Sequence, residues 1–140
     1  MNNYIETQIP VLELIPQRPP FVFVDRITDM EGDLIFKTEY TIKSESPLSD
    51  TTRFSEAGIM EFIAQSLGAQ IGYISTGDIK IGVIGSVKNM HIYRIPLVGE
   101  TIQGEMEITN RVFHVTFVCA KVFSNGELLA DCELKVALQE

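Results

Sequence analysis

Tryptophan is absent from this sequence, histidine and cysteine occur twice each, and basic side chains are scarce. Lys and Arg together number 11 against 19 Asp and Glu, which gives a formal net charge of −8. Nucleic acids and anionic membrane surfaces both attract basic faces, so this balance argues against either kind of partner. The two histidines and two cysteines lack the spacing of metal ligands, so the sequence predicts no metal site. It also lacks a glycine-rich phosphate loop that would indicate a cofactor.

Long uninterrupted apolar runs are missing as well. The most apolar stretch, residues 58–73, is interrupted by Glu61, Gln65 and Gln70, which predicts a buried helix rather than a membrane span. No N-terminal segment resembles a signal peptide, so Cys119 and Cys132 are expected to be reduced thiols of a cytoplasmic protein. The chain has 140 residues, 45% of them hydrophobic, and we expect a single domain over residues 1–140.

Turn signals and hydrophobic patterns predict two strands, one long helix and then four strands. The prolines after Arg18 force an extended turn. Ser55 is a plausible N-cap for the helix, which should run to about Ser75. The other predicted elements are a short helix at Ile9–Leu14, strands at Phe21–Ile27 and Leu34–Ile42, a loop at Ser44–Thr52, and strands at Ile81–Ile95 (bent at Gly82 or Gly85), Ile102–Thr109, Val112–Phe123 and Leu128–Leu138.

Two stripes run along the predicted helix. The apolar stripe consists of Met60, Ile63, Ala64, Leu67 and Ile71. The second, called the small-polar stripe below, consists of Glu61, Gln65, Gly68 and Gly72. Its spacing places these residues on one helix face, where small side chains allow a backbone, a partner subunit or a ligand to approach closely.

The pair Asn125-Gly126 predicts a type I′ hairpin between the last two strands. A two-residue loop there pairs Ser124 with Glu127. Counting outward without interruption places Cys119 opposite Cys132 on an apolar face that is expected to be the core face.

A second tight turn is predicted at Asn110-Arg111, although this pair is a weaker turn signal than Asn-Gly. It would place Glu107 opposite His114 on the outer face of the sheet. His91 alternates with residues that are expected to face the core, so both histidines are predicted to point outward.

Two strings of residues carry a family resemblance. Ile15–Arg26 reads I-P-Q-R-P-P-F-V-F-V-D-R, and Glu61–Gln65 reads E-F-I-A-Q. In that order and at that separation they resemble the 3-hydroxyacyl-acyl-carrier-protein dehydratases of fatty-acid synthesis. The resemblance implies an α+β hotdog fold, in which one long central helix is wrapped by a curved antiparallel sheet of about five to six strands. The order of elements agrees independently, because strands that share an apolar face need a helix to cover it.

Glu61 is the catalytic residue that the resemblance implies, because it aligns with the family's helix acid. The alternative is a glutamate that reaches solvent or pairs with an arginine. Gln65, one turn further along, aligns with a family glutamine and would either orient Glu61 or satisfy backbone groups. Substrate contacts are expected from Gln65, Gln17, Phe54 and Ser55. Gln17 stands where the family usually has a histidine, and Ser55 lies at the helix start, where N–H groups would polarise a thioester carbonyl.

The histidine that works with the helix acid in this family is missing. It belongs to a glycine-histidine-phenylalanine-proline segment, whereas Ser44–Ser55 reads S-E-S-P-L-S-D-T-T-R-F-S. Counting back from Glu61 without gaps places Pro47 in the position of the histidine. Catalysis would then depend on Glu61 assisted by water or backbone N–H groups.

Three functions are open at this point. The first is a hydro-lyase that forms a trans-2-enoyl thioester from a 3-hydroxyacyl thioester, as in fatty-acid or polyene-type biosynthesis, with Glu61 as acid and base. The second is a hotdog thioesterase that uses Glu61, and the third is a non-catalytic subunit that binds acyl thioesters.

The expected partners are an acyl-carrier protein or acyl-CoA, and a second copy in a homodimer or higher homo-oligomer. An acidic carrier protein would require a local basic cluster on this acidic chain. The candidate residues are Arg18, Arg26, Arg53, Lys88 and Arg94.

Overall fold

The computed structural model describes residues 10–74 and 82–138. A 3-10 helix at Val11–Glu13 precedes β1 (Arg26–Glu31), β2 (Ile35–Thr41), α1 (Glu56–Ile74), β3 (Gly82–Ile92), β4 (Thr101–Val112), β5 (Val115–Ser124) and β6 (Glu127–Leu138). The six strands form one antiparallel sheet in the order β1-β2-β4-β5-β6-β3. Helix α1 packs against β2, β3, β4 and β5. The predicted hotdog arrangement of two strands, a helix and four strands is confirmed.

The rotation of α1 on the sheet is fixed by a close approach to β2 and β4. A Cβ atom at Gly104 would lie 2.7 Å from Thr38 Oγ1 and 3.0 Å from the Phe62 ring, so only glycine fits between the helix and the sheet there. The hydroxyls of Thr38 and Ser66 form a buried hydrogen bond of 2.8 Å. Because Phe62 and Ser66 face the sheet, Glu61 and Gln65 lie about 100° around the helix, to one side of this contact.

The segment that leads into β1 differs from the prediction. A strand was expected at Phe21–Ile27, but the first strand begins at Arg26. Phe23 is fully buried as expected, yet its N–H is bound by the Gln65 side chain rather than by a neighbouring strand. The predicted short helix is confirmed as the 3-10 turn, whereas Ile9, Ser75 and Ile81, where elements were predicted to begin or end, lie outside the described residues.

The β5–β6 hairpin begins as predicted but then changes register. Ser124 pairs with Glu127, as the Asn-Gly turn requires. An extra residue on β6, Leu129, is fully buried, and its carbonyl accepts the N–H of Tyr93 at 2.7 Å. This bulge shifts every later pair by one residue.

The predicted pairing of Cys119 with Cys132 is therefore wrong. Cys132 lies opposite Ala120, and Cys119 lies opposite Glu133. Cys132 is buried and Cys119 is half-buried, and both are free thiols.

The turn between β4 and β5 also differs from the prediction. The two-residue loop is Phe113-His114, because Val112 pairs with Val115. A register shift between Ile108 and Asn110 accompanies it. Consequently Glu107 lies opposite Cys119 rather than opposite His114.

Strand β3 lies at one edge of the described sheet. Its register against β6 shifts between Ile84 and Ser86, which places a β-bulge or irregularity at Gly85, one of the two positions where a bend is predicted. A second shift lies between Lys88 and His91. Within residues 10–74 and 82–138, no helix has both the length and the apolarity needed to cross a membrane.

Candidate functional site

Glu61 lies in the second turn of α1 and is half-buried. The hydrogen bond recorded to its carboxylate comes from Gln65 Nε2, at 3.5 Å from Oε1. This is a long hydrogen bond between side chains one helical turn apart. The side chain is thus neither sealed in the core nor fully exposed.

Gln65 binds backbone, as one of the two sequence interpretations expected, and it also lies within 3.5 Å of Glu61. Its role in orienting Glu61 remains a prediction. Its side chain is 1% exposed. Its Oε1 accepts the N–H of Phe23 at 2.7 Å, and its Nε2 donates to the carbonyl of Phe21 at 3.1 Å. In an extended chain, the Phe21 carbonyl and the Phe23 N–H point in the same direction. The Gln65 amide therefore binds the two backbone groups that a neighbouring strand would otherwise bind.

The small-polar stripe is covered by the chain's own N-terminal segment. A Cβ atom at Gly72 would lie 2.4 Å from the backbone oxygen of Leu14, and one at Gly68 would lie 3.7 Å from the Ile15 side chain. The sequence left open whether a backbone, a partner subunit or a ligand approaches this stripe. Between Gly72 and Gln65 it is the backbone of the chain's own N-terminal segment. Glu61 lies at the end of the covered region, nearest the start of the helix.

Ser55 caps α1 as predicted. Its Oγ accepts the N–H of Gly58 at 2.9 Å and donates to the carbonyl of Leu48. Ser55 thereby joins the loop of residues 44–55 to the first turn of the helix. The Gly58 N–H is already bound, so a thioester carbonyl at the helix start would need a different donor.

Phe54 lies in the core, 3% exposed. Its ring packs near Tyr40 and Phe23, with centroids 5.8 and 6.2 Å away. The same ring covers Gly58, where a Cβ atom would come within 2.5 Å of it. The Phe54 ring thus packs against the first turn of α1. Its predicted contact with substrate would require the ring to leave the core.

Gln17 lies in the turn before the proline pair. Its backbone carbonyl accepts a hydrogen bond from Arg18 Nη1 at 2.7 Å. Its side-chain Oε1 is buried and has no hydrogen-bond partner among the described residues. Its predicted substrate contact remains a prediction.

Neither histidine is near Glu61. His91 is on the outer face of the sheet, opposite the face that α1 covers, and its Nδ1 is 3.3 Å from Asp131 Oδ1. His114 is exposed in the β4–β5 turn and lines a cavity of about 230 Å³ with Ile71 and Ile74. Ile71 is ten residues beyond Glu61, or about 15 Å along the helix axis. The prediction that both histidines point outward is confirmed for His91. His114 is exposed, but it lies in the turn beside the end of α1 rather than on the outer face of the sheet.

Phe21 is the residue near Glu61 that the sequence prediction missed. Its side chain is 39% exposed, although it was assigned to a mostly buried strand. The available signal was the proline pair before it, which places Phe21 in a turn rather than within a strand. Across the described residues, no three His, Cys, Asp or Glu side chains come together in a way that could hold a metal ion.

The fold and the helix carboxylate together define a hotdog protein with a candidate acid-base site. The family model of the ApeP-like proteins, described as ApeP dehydratase, matches residues 9–140. The chain therefore belongs to the ApeP-like dehydratase family.

Curated relatives are dehydratases as well. The 3-hydroxyacyl-[acyl-carrier-protein] dehydratase FabZ of Clostridioides difficile is 28% identical over 138 residues, covering 93% of this chain and 95% of that protein. FabZ of Ruminiclostridium cellulolyticum is 25% identical over 138 residues, covering 94% and 96%.

The solved dehydratase heterocomplex ApeI:P from Xenorhabdus doucetiae superposes with a TM-score of 0.79 at 14% identity, covering 94% of this chain and 92% of that one. A hypothetical thioesterase with coenzyme A from Streptococcus pneumoniae superposes with a TM-score of 0.66 at 12% identity, covering 81% and 84%. At these identities the structural matches show the hotdog fold alone.

Proposed function

We propose that this protein dehydrates a 3-hydroxyacyl thioester to the trans-2-enoyl thioester, with Glu61 as the acid and base. The observation that carries the proposal is the Gln65 amide, which is locked by two backbone bonds and donates to the Glu61 carboxylate. The fixed amide offers a donor 3.5 Å from the Glu61 carboxylate, a long hydrogen bond that favours one position of this group at the end of the covered stripe. The family assignment and the two FabZ relatives support the reaction type.

The proton balance of this reaction closes with a single carboxylate. Glu61 takes the proton from C2 while the C2–H electron pair forms the new double bond to C3. The C3–O bond breaks, and the same carboxyl group returns its proton to the departing hydroxide, which leaves as water. The residue ends in its starting form, provided that C2 and the C3 hydroxyl lie on the same side of the substrate.

One assay with two readouts tests the proposal. Purified protein is incubated with a 3-hydroxyacyl thioester of coenzyme A or of an acyl-carrier protein, while enoyl absorbance and free thiol are both followed. Glu61→Gln should lower enoyl formation by about 100-fold or more, because proton transfer contributes that much to such reactions. Glu56→Gln is the matched control, since Glu56 is an exposed acid in the first turn of the same helix.

The possible results separate the functions that were open from the sequence. Release of free thiol without enoyl product would show that the protein hydrolyses the thioester and does not dehydrate it. Equal rates for the wild type and Glu61→Gln would refute the role of Glu61. A wild-type protein that binds the thioester without turnover points to the second candidate function.

The second candidate is a subunit that completes a dehydratase only together with a homologous chain. It is favoured by the positions of His91 and His114, both far from Glu61, and by the structural match to a dehydratase heterocomplex. Activity that appears only after mixing with a hotdog dehydratase that carries a histidine in the 44–55 loop would support it. The decisive control is the same mixture made with Glu61→Gln.

We also propose that two hotdog chains associate through β3, as a homodimer or as such a pair. Val87 lies opposite the buried Leu134 and so faces the side of the sheet covered by α1, yet it is 40% exposed. Ile84 and Met90 on the same strand are only partly buried, as is Met60 on α1. An edge strand has unpaired backbone groups, so an edge strand with an apolar face can pair with a strand of another chain. Light scattering on the protein alone and on the mixture measures the assembly.

The proposed acyl-carrier partner is acidic, which restricts where it can dock. Arg26 is paired with Glu39, and Arg94 is paired with Glu100 and Glu127. Because acids already neutralise these two arginines, they attract an acidic partner less. Arg18, Arg53 and Lys88 are the exposed candidates that remain, and replacing each by Glu should weaken carrier binding if it contributes.

A further inference from the structure

Three phenylalanine rings form a chain of contacts that starts in the core and ends at the surface. The Phe54 ring covers Gly58 on α1 and is 6.2 Å from the Phe23 ring, centroid to centroid. The Phe23 and Phe21 rings are 4.8 Å apart in an edge-to-face arrangement. Phe54 and Phe23 are buried, whereas Phe21 is 39% exposed. The exposed Phe21 ring thus packs edge-to-face on a buried ring, which favours one orientation of it.

Both ends of this aromatic chain are anchored next to Glu61. Gly58, under Phe54, precedes Glu61 by one helical turn, and Gln65 follows Glu61 by one turn. The same Gln65 nitrogen that donates to Glu61 also donates to the carbonyl of Phe21. The carboxylate and the Phe21 backbone are therefore within hydrogen-bonding reach of one atom, so the backbone that carries the exposed ring adjoins the candidate acid.

We infer that Phe21 is a specificity-determining residue, whose exposed ring contacts the apolar acyl group of the substrate next to the reacting carbons. The inference rests on the proposed function and names the contact that this function needs. An acyl thioester with C2 at the Glu61 carboxylate must place its apolar chain against nearby apolar surface. Phe54, expected from the sequence to make such a contact, is buried, whereas Phe21 is the member of the same cluster that a ligand reaches directly.

The test compares substrates of different chain length in Phe21→Ala, Phe21→Leu and Leu12→Ala. Leu12 is the matched control, because it is also 39% exposed in the N-terminal segment but lies outside the aromatic cluster. The substrates are 3-hydroxyacyl-coenzyme A thioesters with four and ten carbons. Phe21→Ala should raise KM for the ten-carbon substrate by about tenfold and for the four-carbon substrate by less than about twofold. Phe21→Leu should retain most of the wild-type preference, and Leu12→Ala all of it.

Two results would overturn the inference while leaving the proposed function intact. One is an unchanged ratio of kcat/KM between the two substrates in Phe21→Ala. The other is an equal loss on both substrates together with a change in oligomeric mass, which would make Phe21 an assembly contact. The proposed function itself fails separately, through an unchanged rate in Glu61→Gln. Thermal unfolding of each variant identifies a loss of fold, and Phe21→Leu then provides the comparison.

Discussion

The Arg94 guanidinium donates two hydrogen bonds, of 2.9 and 3.0 Å, to the Glu100 carboxylate. Glu100 also accepts the N–H of Leu97 at 2.6 Å and the hydroxyl of Ser124 at 2.9 Å. This carboxylate thus ties together the turn before β4 and the end of β5. The hydrogen bonds from Arg94 hold the pKa of Glu100 at about 2, well below its ordinary value of 4.5, although partial burial opposes the shift.

We predict that Glu100 stabilises the fold in a pH-dependent way. Because its pKa is lowered in the folded state, its contribution is fully present above about pH 4.5 and is lost as the pH falls towards 2. Glu100→Gln should reduce the free energy of unfolding by about 1.5–3 kcal/mol at pH 7, since charged hydrogen bonds are lost. Urea unfolding of the wild type and the variant at pH 7 and pH 3 measures this difference, which should shrink at the lower pH.

The control for this prediction is Glu127→Gln. Glu127 also binds Arg94, at 3.1 Å, but its side chain is 54% exposed compared with 22% for Glu100. Solvent weakens such a pair, so the change should cost less than about 1 kcal/mol. Equal costs for the two variants would contradict the assignment of Glu100 as the central group.

A second prediction concerns the two glycines of the small-polar stripe. Gly68→Ala should be neutral or stabilise the protein by up to about 1 kcal/mol, because alanine favours helix and its Cβ meets Ile15 at an ordinary distance of 3.7 Å. Gly72→Ala should instead destabilise by about 1–3 kcal/mol, because its Cβ would lie 2.4 Å from the backbone oxygen of Leu14. Chemical unfolding of both variants decides the matter, and equal effects would show that the N-terminal segment does not lie against α1.

The third prediction is that the two cysteines react at different rates. Burial, and secondarily the nearby Asp131, raise the pKa of Cys132 to about 11, so its thiol stays protonated at neutral pH. Cys119 is more exposed, on the other face of the sheet. Iodoacetamide should therefore label Cys119 first in the native protein, as mass spectrometry of the peptides would show. Simultaneous labelling of both cysteines, without unfolding, would contradict the bulged register.

The fourth prediction separates positioning from packing by comparing two buried glutamines. Gln65→Met leaves the Phe21 carbonyl and the Phe23 N–H unpaired and removes the donor to Glu61. Gln70→Met likewise removes hydrogen bonds to two backbone carbonyls, those of Asp33 and Leu34. Each change should cost about 1–3 kcal/mol of stability for each group left unpaired.

Activity should distinguish the two glutamine variants. If Gln65 orients Glu61, Gln65→Met should lower kcat with little change in KM, whereas Gln70→Met should leave kcat per folded molecule unchanged. Comparable kcat values in both variants, measured where both are fully folded, would mean that Gln65 only supports the backbone.

Much of the fold could be predicted because local patterns and tertiary demands agree. On β4, Ile102, Met106 and Ile108 alternate with polar residues and are buried as the pattern requires. The Ser55 cap and the Asn-Gly turn are local signals that depend on one or two residues, and both are confirmed. The helix stripe likewise predicted a close contact, although not which of three partners would make it.

The register of β5 could not be predicted, because both of its faces are apolar. Phe117 and Cys119 suggested a core face, but Val118 and Ala120 on the alternate face are the buried residues. A single inserted residue, Leu129, decides between the two, and no local signal in the sequence predicts it. The site has a similar limit, because the contact between Gln65 and Phe21 spans 44 residues and appears only once the chain is folded.

Deuterium transfer to C2 tests the central role of Glu61 most directly. A trans-2-enoyl thioester is incubated with the protein in D2O, so that the reverse reaction adds water, and the 3-hydroxyacyl product is analysed by mass spectrometry. We expect the wild type and Glu56→Gln to place one deuterium at C2, and Glu61→Gln to form this product at least about 100-fold more slowly. Deuterium incorporation by Glu61→Gln at the wild-type rate would show that another group moves the proton, and would contradict the account.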